Sequence, residues 1–310
     1  MRSYLKFLIL TFIMTVFMFE SVIIGILKYP AGVFTPSYQS LIQDKYRILT
    51  ETNEPKIIIV SGSSSAFGLD QEMLEAASGY RVVNLGLHAG FGHLFHSELA
   101  KANINQGDIV LLGYEYGWEA GFDALDQNLI MTGIDDNIEM YTRIPVKKWP
   151  DFIGYIFKYA ETKNNYVGAS GIYSREAFDS ETGQMTMARD YTMEYNVEIC
   201  GSMDITNAVI TEEAIKYLQD FQAFAEDRGA SVYFIAPPLV ADGVMCDYGE
   251  FDRLKDLEES QVGIPYISNP TDYIFPCELM SNALYHCNSA GEKVRTELLI
   301  EDLKRASVIH

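Results

Sequence analysis

Basic residues are scarce in this chain of 310 residues: 23 Lys and Arg stand against 43 Asp and Glu, for a net charge of −20. Nucleic-acid binding needs clustered cations to displace phosphate counterions, so this balance opposes a nucleic-acid partner. The excess of carboxylate suits the solvated surface of an exposed domain. Cysteine is also thin, with Cys200, Cys246, Cys277 and Cys287 and no C-x-x-C pair, which argues against a thiolate metal site. No internal repeat is visible, and the sequence has a single long apolar run.

That run, FLILTFIMTVFMFESVIIGIL over 7–27, carries one charge, Glu20. At ~1.5 Å per residue it reaches roughly 30 Å, the thickness of a bilayer's hydrocarbon. Arg2 and Lys6 precede it, which predicts an inside N-terminus and a single-pass protein of the cell membrane with its C-terminal domain extracytoplasmic. A cleaved signal peptide would want a shorter apolar core and an A-x-A-like site, neither of which is present. Glu20 within the span marks either a contact with another membrane protein or a carboxylate that snorkels to the interface. The expected organisation is an anchor over 1–30, a juxtamembrane linker over 31–55 and a folded domain over 56–310.

With 48% hydrophobic residues the exported part can fill a core. Short β-rich apolar runs at 56–60, 81–85, 108–112, 231–236 and 265–268 alternate with helical patterns at 93–103, 212–226, 249–261 and 290–305. The alternation predicts an α/β fold with a five-stranded parallel sheet and helices on both faces. Ligands of such sheets bind beyond the strands' carboxyl ends. Those positions hold Ser61-Gly62-Ser63-Ser64-Ser65, then Gly86-Leu87-His88-Ala89-Gly90, then Tyr114-Glu115-Tyr116, and finally Asn282-Ala283-Leu284-Tyr285-His286. The same topology sets Cys246 and Cys277 in loops after adjacent strands. In an oxidising compartment they are the preferred disulfide, with free buried thiols as the alternative.

A serine hydroxyl becomes a nucleophile when an imidazole accepts its proton, and His286 is the candidate imidazole for the serine turn. The order of these blocks resembles the SGNH/GDSL hydrolase superfamily, in particular its membrane-anchored exported branch that includes alginate O-acetylation and teichoic-acid D-alanylation accessory proteins. The resemblance implies a three-layer flavodoxin-like domain. In it Ser63 is the counterpart of the catalytic serine, and the backbone N–H groups of Ser63 and Gly90, or in second place Gly86, hold the oxyanion. His286 is the base, and Asn282 takes the aspartate's place in orienting it, with Glu278 and Asp272 as nearby carboxylates that would compensate. The family's Gly-Asp-Ser is Ser61-Gly62-Ser63 here, and its third-block asparagine is replaced by Tyr114-Glu115-Tyr116. An ionised glutamate only accepts hydrogen bonds, so Glu115, with Tyr116 and His88, is assigned to substrate binding or loop positioning.

These roles predict O-acyl transfer to, or ester hydrolysis from, a cell-envelope polysaccharide or glycopolymer, with no cofactor and no metal. A multi-pass membrane O-acyltransferase is the partner the resemblance implies. The rival is an inactive fold of the same type that binds the polymer or scaffolds such a complex, and a remoter one reads the serine turn as a phosphate cradle. His88, His93 and His96 have metal-like spacing, but a partly exposed helix face explains the last two more simply. The interval 117–208 far exceeds the ~12–15 residues of an unstructured loop and reads as an insertion over the strand ends. Its aromatics, among them Trp118, Phe122, Trp149, Tyr155, Phe157 and Tyr173, suit either sugar rings or the core of added helices.

Overall fold

The computed structural model describes residues 2–310. In chain order its elements are α1 (Arg2–Lys28), α2 (Leu41–Glu51), β1 (Lys56–Ser61), α3 (Ser63–Ala66), α4 (Gln71–Ser78), β2 (Arg81–Asn84), α5 (His93–Ala100) and β3 (Ile109–Gly113). There follow α6 (Trp118–Gly121), α7 (Gln127–Ile134), α8 (Ile138–Tyr141), α9 (Trp149–Asn165), α10 (Val197–Cys200) and α11 (Glu212–Glu226). The last part holds β4 (Ser231–Phe234), β5 (Leu239–Val240), α12 (Gly249–Val262), β6 (Ile274–Phe275) and α13 (Ser289–Arg305).

The main sheet is parallel, in the order β2-β1-β3-β4. Because β1 and β3 lie between neighbours and under helices on both faces, every residue of both strands is buried, which is why they read as unbroken apolar runs. Alternate residues divide the core. Ile57, Ile59 and Leu111 face a layer with Leu74 of α4 and Leu303 of α13, whereas Ile58, Val60 and Leu112 face Leu94 and Phe95 of α5 and Leu218 of α11. The sheet has four strands, not five. The segment expected as the fifth meets β4 through a single parallel bridge, Phe234 to Tyr266, because Pro265 and the turn that follows leave no room for a longer ladder. A separate two-stranded sheet, β5 with β6, joins the two loops that follow.

Residues 31–55 are not a linker. Leu41, Ile42, Tyr46, Ile48 and Leu49 of α2 are buried, and the buried Lys45 Nζ donates to the carbonyls of Asn84 (2.8 Å) and Gly183 (3.1 Å). Desolvation lowers that ammonium's pKa to about 7. The interval 117–208 folds largely as helices and extended loops that pack on the rest, so Trp118, Phe122, Tyr141, Phe152 and Tyr159 are core residues. In α1 all side chains from Ser3 to Val22 are exposed, and only the last turn, through Ile23, Ile26 and Leu27, touches the folded part. The helix is long and apolar enough to cross a membrane.

Candidate active site

With the order β2-β1-β3-β4 the chain reverses direction across the sheet between β1 and β3, and the crevice at their carboxyl ends is where such folds place ligands. The two segments that open there are Ser61-Gly62-Ser63 and Gly113-Tyr114-Glu115. They are stitched together: Ser61 Oγ donates to the Gly113 carbonyl (2.7 Å), and the Glu115 carboxylate accepts from the N–H groups of Gly62 (3.2 Å) and Ser64 (2.8 Å). Glu115 is 5% exposed. Burial raises its pKa, against which the Ser64 N–H and the positive charge of Arg295 act. Arg295 is itself buried and donates through Nη1 to the Ser64 carbonyl (2.6 Å). The short helix α3 is therefore held by a carboxylate at its start and a guanidinium below. Glycine at 62 leaves room for this carboxylate: a Cβ there would stand 2.6 Å from Glu115 Oε1 and push it off the turn.

Ser63 opens α3, where its N–H has no helical partner, and is half-buried. It lines a cavity of about 830 Å³ together with Gly90, His93, Glu115, Tyr116, Trp118, Asp126, Tyr155 and Tyr285. One turn further on, the ring of Phe67 stacks on His286 with centroids 4.4 Å apart, which brings the C-terminal block to the serine turn. His286 Nδ1 lies 3.0 Å from Asn282 Oδ1. Asn282 Nδ2 donates to Tyr173 Oη (2.9 Å), which is 3.4 Å from the same Nδ1. With Nδ1 donating to the amide oxygen, the lone pair is on Nε2, the tautomer a general base needs. Among the described residues no hydrogen bond joins Ser63 Oγ to His286.

The imidazole is buried beside Arg189 and His88, and its pKa falls to about 3, chiefly by desolvation. Neither carboxylate expected to assist it does so: Glu278 and Asp272 are exposed and make no bond to the ring. Two residues of the insertion shape this corner: Tyr173, expected only as one of its aromatics, and Arg189, which the sequence did not single out. Tyr173 completes the Asn282 contact, and Arg189, 1% exposed, donates to the carbonyls of Cys287 (3.2 Å) and Phe67 (3.3 Å) and pairs with Glu292 (2.9 Å). An isolated Arg or Tyr in a loop of unassigned structure carries no periodicity by which to find it. Asn288 caps α13, accepting from the Ala290 and Gly291 N–H groups.

Several expected contacts are otherwise engaged. The Gly90 N–H donates to His88 Nδ1 (2.9 Å) and that of Gly86 to Asn84 Oδ1 (2.9 Å), so each second-block donor is tied within its own loop. His88 is thereby a loop residue and does not line the cavity. Glu115 lines it, but both its oxygens serve the serine turn, which assigns it to positioning. The Tyr116 ring packs edge-on against Phe251 (5.0 Å) and shows the cavity one side. His93 and His96 are buried, not partly exposed, against Tyr114 (4.4 Å) and Phe91 (5.7 Å). All four cysteines are thiols; β5 and β6 join the loops that a Cys246–Cys277 bridge would have joined, and Cys277 Sγ donates to Asp242 (3.1 Å).

No family model and no curated protein matches this chain. Among solved structures it is similar to the crystal structure of the protein YxiM from Bacillus subtilis, at 13% identity and a TM-score of 0.38, over 83% of this chain and 58% of that one. The chain thus spans less than two thirds of that structure, and its fold is described by its own strand order.

Proposed function

We propose that this protein is a membrane-anchored SGNH-like serine esterase or O-acyltransferase that acts on a carbohydrate polymer of the cell envelope. The observation that supports this reading is the stack of Phe67 on His286, which ties the His286–Asn282 pair to the braced strand-to-helix turn from which Ser63 lines the cavity. In this reading Ser63 Oγ attacks an acyl carbonyl and its proton passes to His286 Nε2. The Ser63 N–H stabilises the oxyanion, and the imidazolium returns the proton to the leaving oxygen. Gly90 joins the oxyanion site once its N–H leaves His88. The cavity wall, with Tyr116, Trp118, Tyr155 and Tyr285 beside Asp126, offers ring faces and an acceptor suited to a sugar.

The engaged Gly86 and Gly90 donors and the uncharged partner of His286 favour a second reading, an inactive fold that binds polymer or scaffolds an acyltransferase complex. A fluorophosphonate probe on the full chain separates the two. The active reading expects labelling of the parent and none of Ser63→Ala or His286→Ala. A folded parent that stays unlabelled favours the scaffold.

A further inference from the structure

We infer that α9 lies in the plane of the membrane interface and seats the folded domain on the lipid surface beside the point where α1 emerges. The inference rests on α1 spanning the bilayer. Its first support is the joint between the two helices. Lys163, near the end of α9, is buried and donates through Nζ to the carbonyls of Leu27 (2.7 Å) and Pro30 (3.1 Å) while paired with Asp135 (2.9 Å). The end of α1 is therefore fixed against α9, and α9 cannot stand away from the bilayer that α1 enters.

The second support is what α9 leaves uncovered. Phe152, Ile156, Tyr159 and Lys163 face the core. Trp149, Ile153 and Phe157, each four residues from the next, form an adjacent flank and are 41%, 40% and 67% exposed. The remaining flank carries the exposed Asp151, Lys158 and Glu161. An apolar flank opposed to a charged one is the pattern of a helix buried by ~5–10 Å in the headgroup and acyl boundary. Phe157 lies only about 9 Å along the helix axis from Lys163, so the flank begins at the anchor and does not form an isolated patch. Tyr29, 82% exposed directly after α1, is an aromatic at the same level. On yet another side α9 carries Tyr155 into the wall of the Ser63 cavity, which holds that cavity about one helix diameter, ~10 Å, from the lipid.

The chain has two tryptophans, and Trp118 is 4% exposed within the domain, so Trp149 reports on this flank. The full chain is reconstituted in zwitterionic phosphatidylcholine vesicles, chosen because its net charge is −20, with bromine on the acyl chains near the headgroup. The expected result is quenched emission whose quenchable part disappears in Trp149→Phe and falls at least twofold in the double variant Ile153→Asp, Phe157→Asp. Alkaline washing and flotation of the same vesicles read α1 separately. Flotation with no quenching, or with quenching unchanged in Trp149→Phe, overturns the seat of α9 and leaves the anchor intact; failure to float overturns both. Unquenched emission together with amine cross-linking of chains through Lys158 would assign the flank to a second copy instead.

Discussion

Asn282 gives His286 an acceptor without a charge. An amide oxygen 3.0 Å from Nδ1 fixes the ring as an aspartate would, but it does nothing to favour the imidazolium that the proposed attack by Ser63 would form. Burial, with Arg189 nearby, then leaves the ring at about 3. Asn282→Asp places a negative charge beside Nδ1 and must raise that pKa. In the active reading the acid limb of an esterase pH profile moves up, and turnover with an activated ester rises by at least about tenfold, towards the ~10⁴ that separates aspartate from asparagine in serine proteases. A pH–rate series on parent and variant measures both, and an unchanged limb with unchanged turnover would remove Asn282 from the orienting position. The pairing of Asn282 with His286 was legible from their spacing, and the turn carrying Ser63 from the apolar run before it, but the C-terminal block follows β6 of the separate two-stranded sheet and reaches that turn through the Phe67 ring. The engagement of Gly90 by His88, and of Glu115 by the Gly62 and Ser64 N–H groups, was not legible, since hydrogen bonds across a turn leave no spacing signal.

At the scale of elements, the strands buried on both faces declared themselves as apolar runs, whereas α2 did not. Its buried face holds Lys45 and Asp44, and charged letters next to a long apolar run read as a solvated tether. The fifth strand failed for the opposite reason, since an apolar run beside proline finds only one bridge. A buried lysine recurs where α1 meets the folded part, at Asp135, which gathers Lys163 (2.9 Å), Tyr159 Oη (2.7 Å) and the Gly32 N–H (2.8 Å). Replacing Lys163 by Met leaves that carboxylate buried without its counter-charge and frees the carbonyls of Leu27 and Pro30. Breaking one side of a buried pair costs roughly 3–5 kcal/mol. The expected outcome is a matching loss in denaturant stability of the full chain in detergent, with faster proteolysis between α1 and α2. Adding Asp135→Asn should recover part of it, and a Lys163→Met variant as stable and as protease-resistant as the parent would refute the junction's role.

For the whole molecule, two opposed sets of buried groups shape the response to acid. His93, His96 and His286 are each lowered from 6.5 to about 3, so each takes up a proton on unfolding, and the stability they confer is present above about 6.5 and lost as pH falls. Glu119 is raised from 4.5 to about 7 by burial, and Glu115 and Glu258 are raised as well, so each releases a proton on unfolding and confers stability that is lost as pH rises above about 4.5. Above about 4.5 the two sets act in opposite directions, so stability changes less steeply with pH there than the histidines alone would make it. Below about 4.5 the raised carboxyls are protonated in both states and no longer oppose the histidines, each of which contributes ~1.4 kcal/mol per pH unit, while the lowered Asp123, Asp179 and Asp204 act in the same direction. Urea unfolding at a series of pH values should therefore show a shallow region followed by a fall approaching ~4 kcal/mol per pH unit between about pH 4 and 3. In His96→Phe, which exchanges a fully buried imidazole for an apolar ring beside Phe91, one proton's share of that slope should vanish. An acid limb shallower than one proton in the parent, or unchanged in the variant, would mean that these imidazoles reach water and protonate within the folded state.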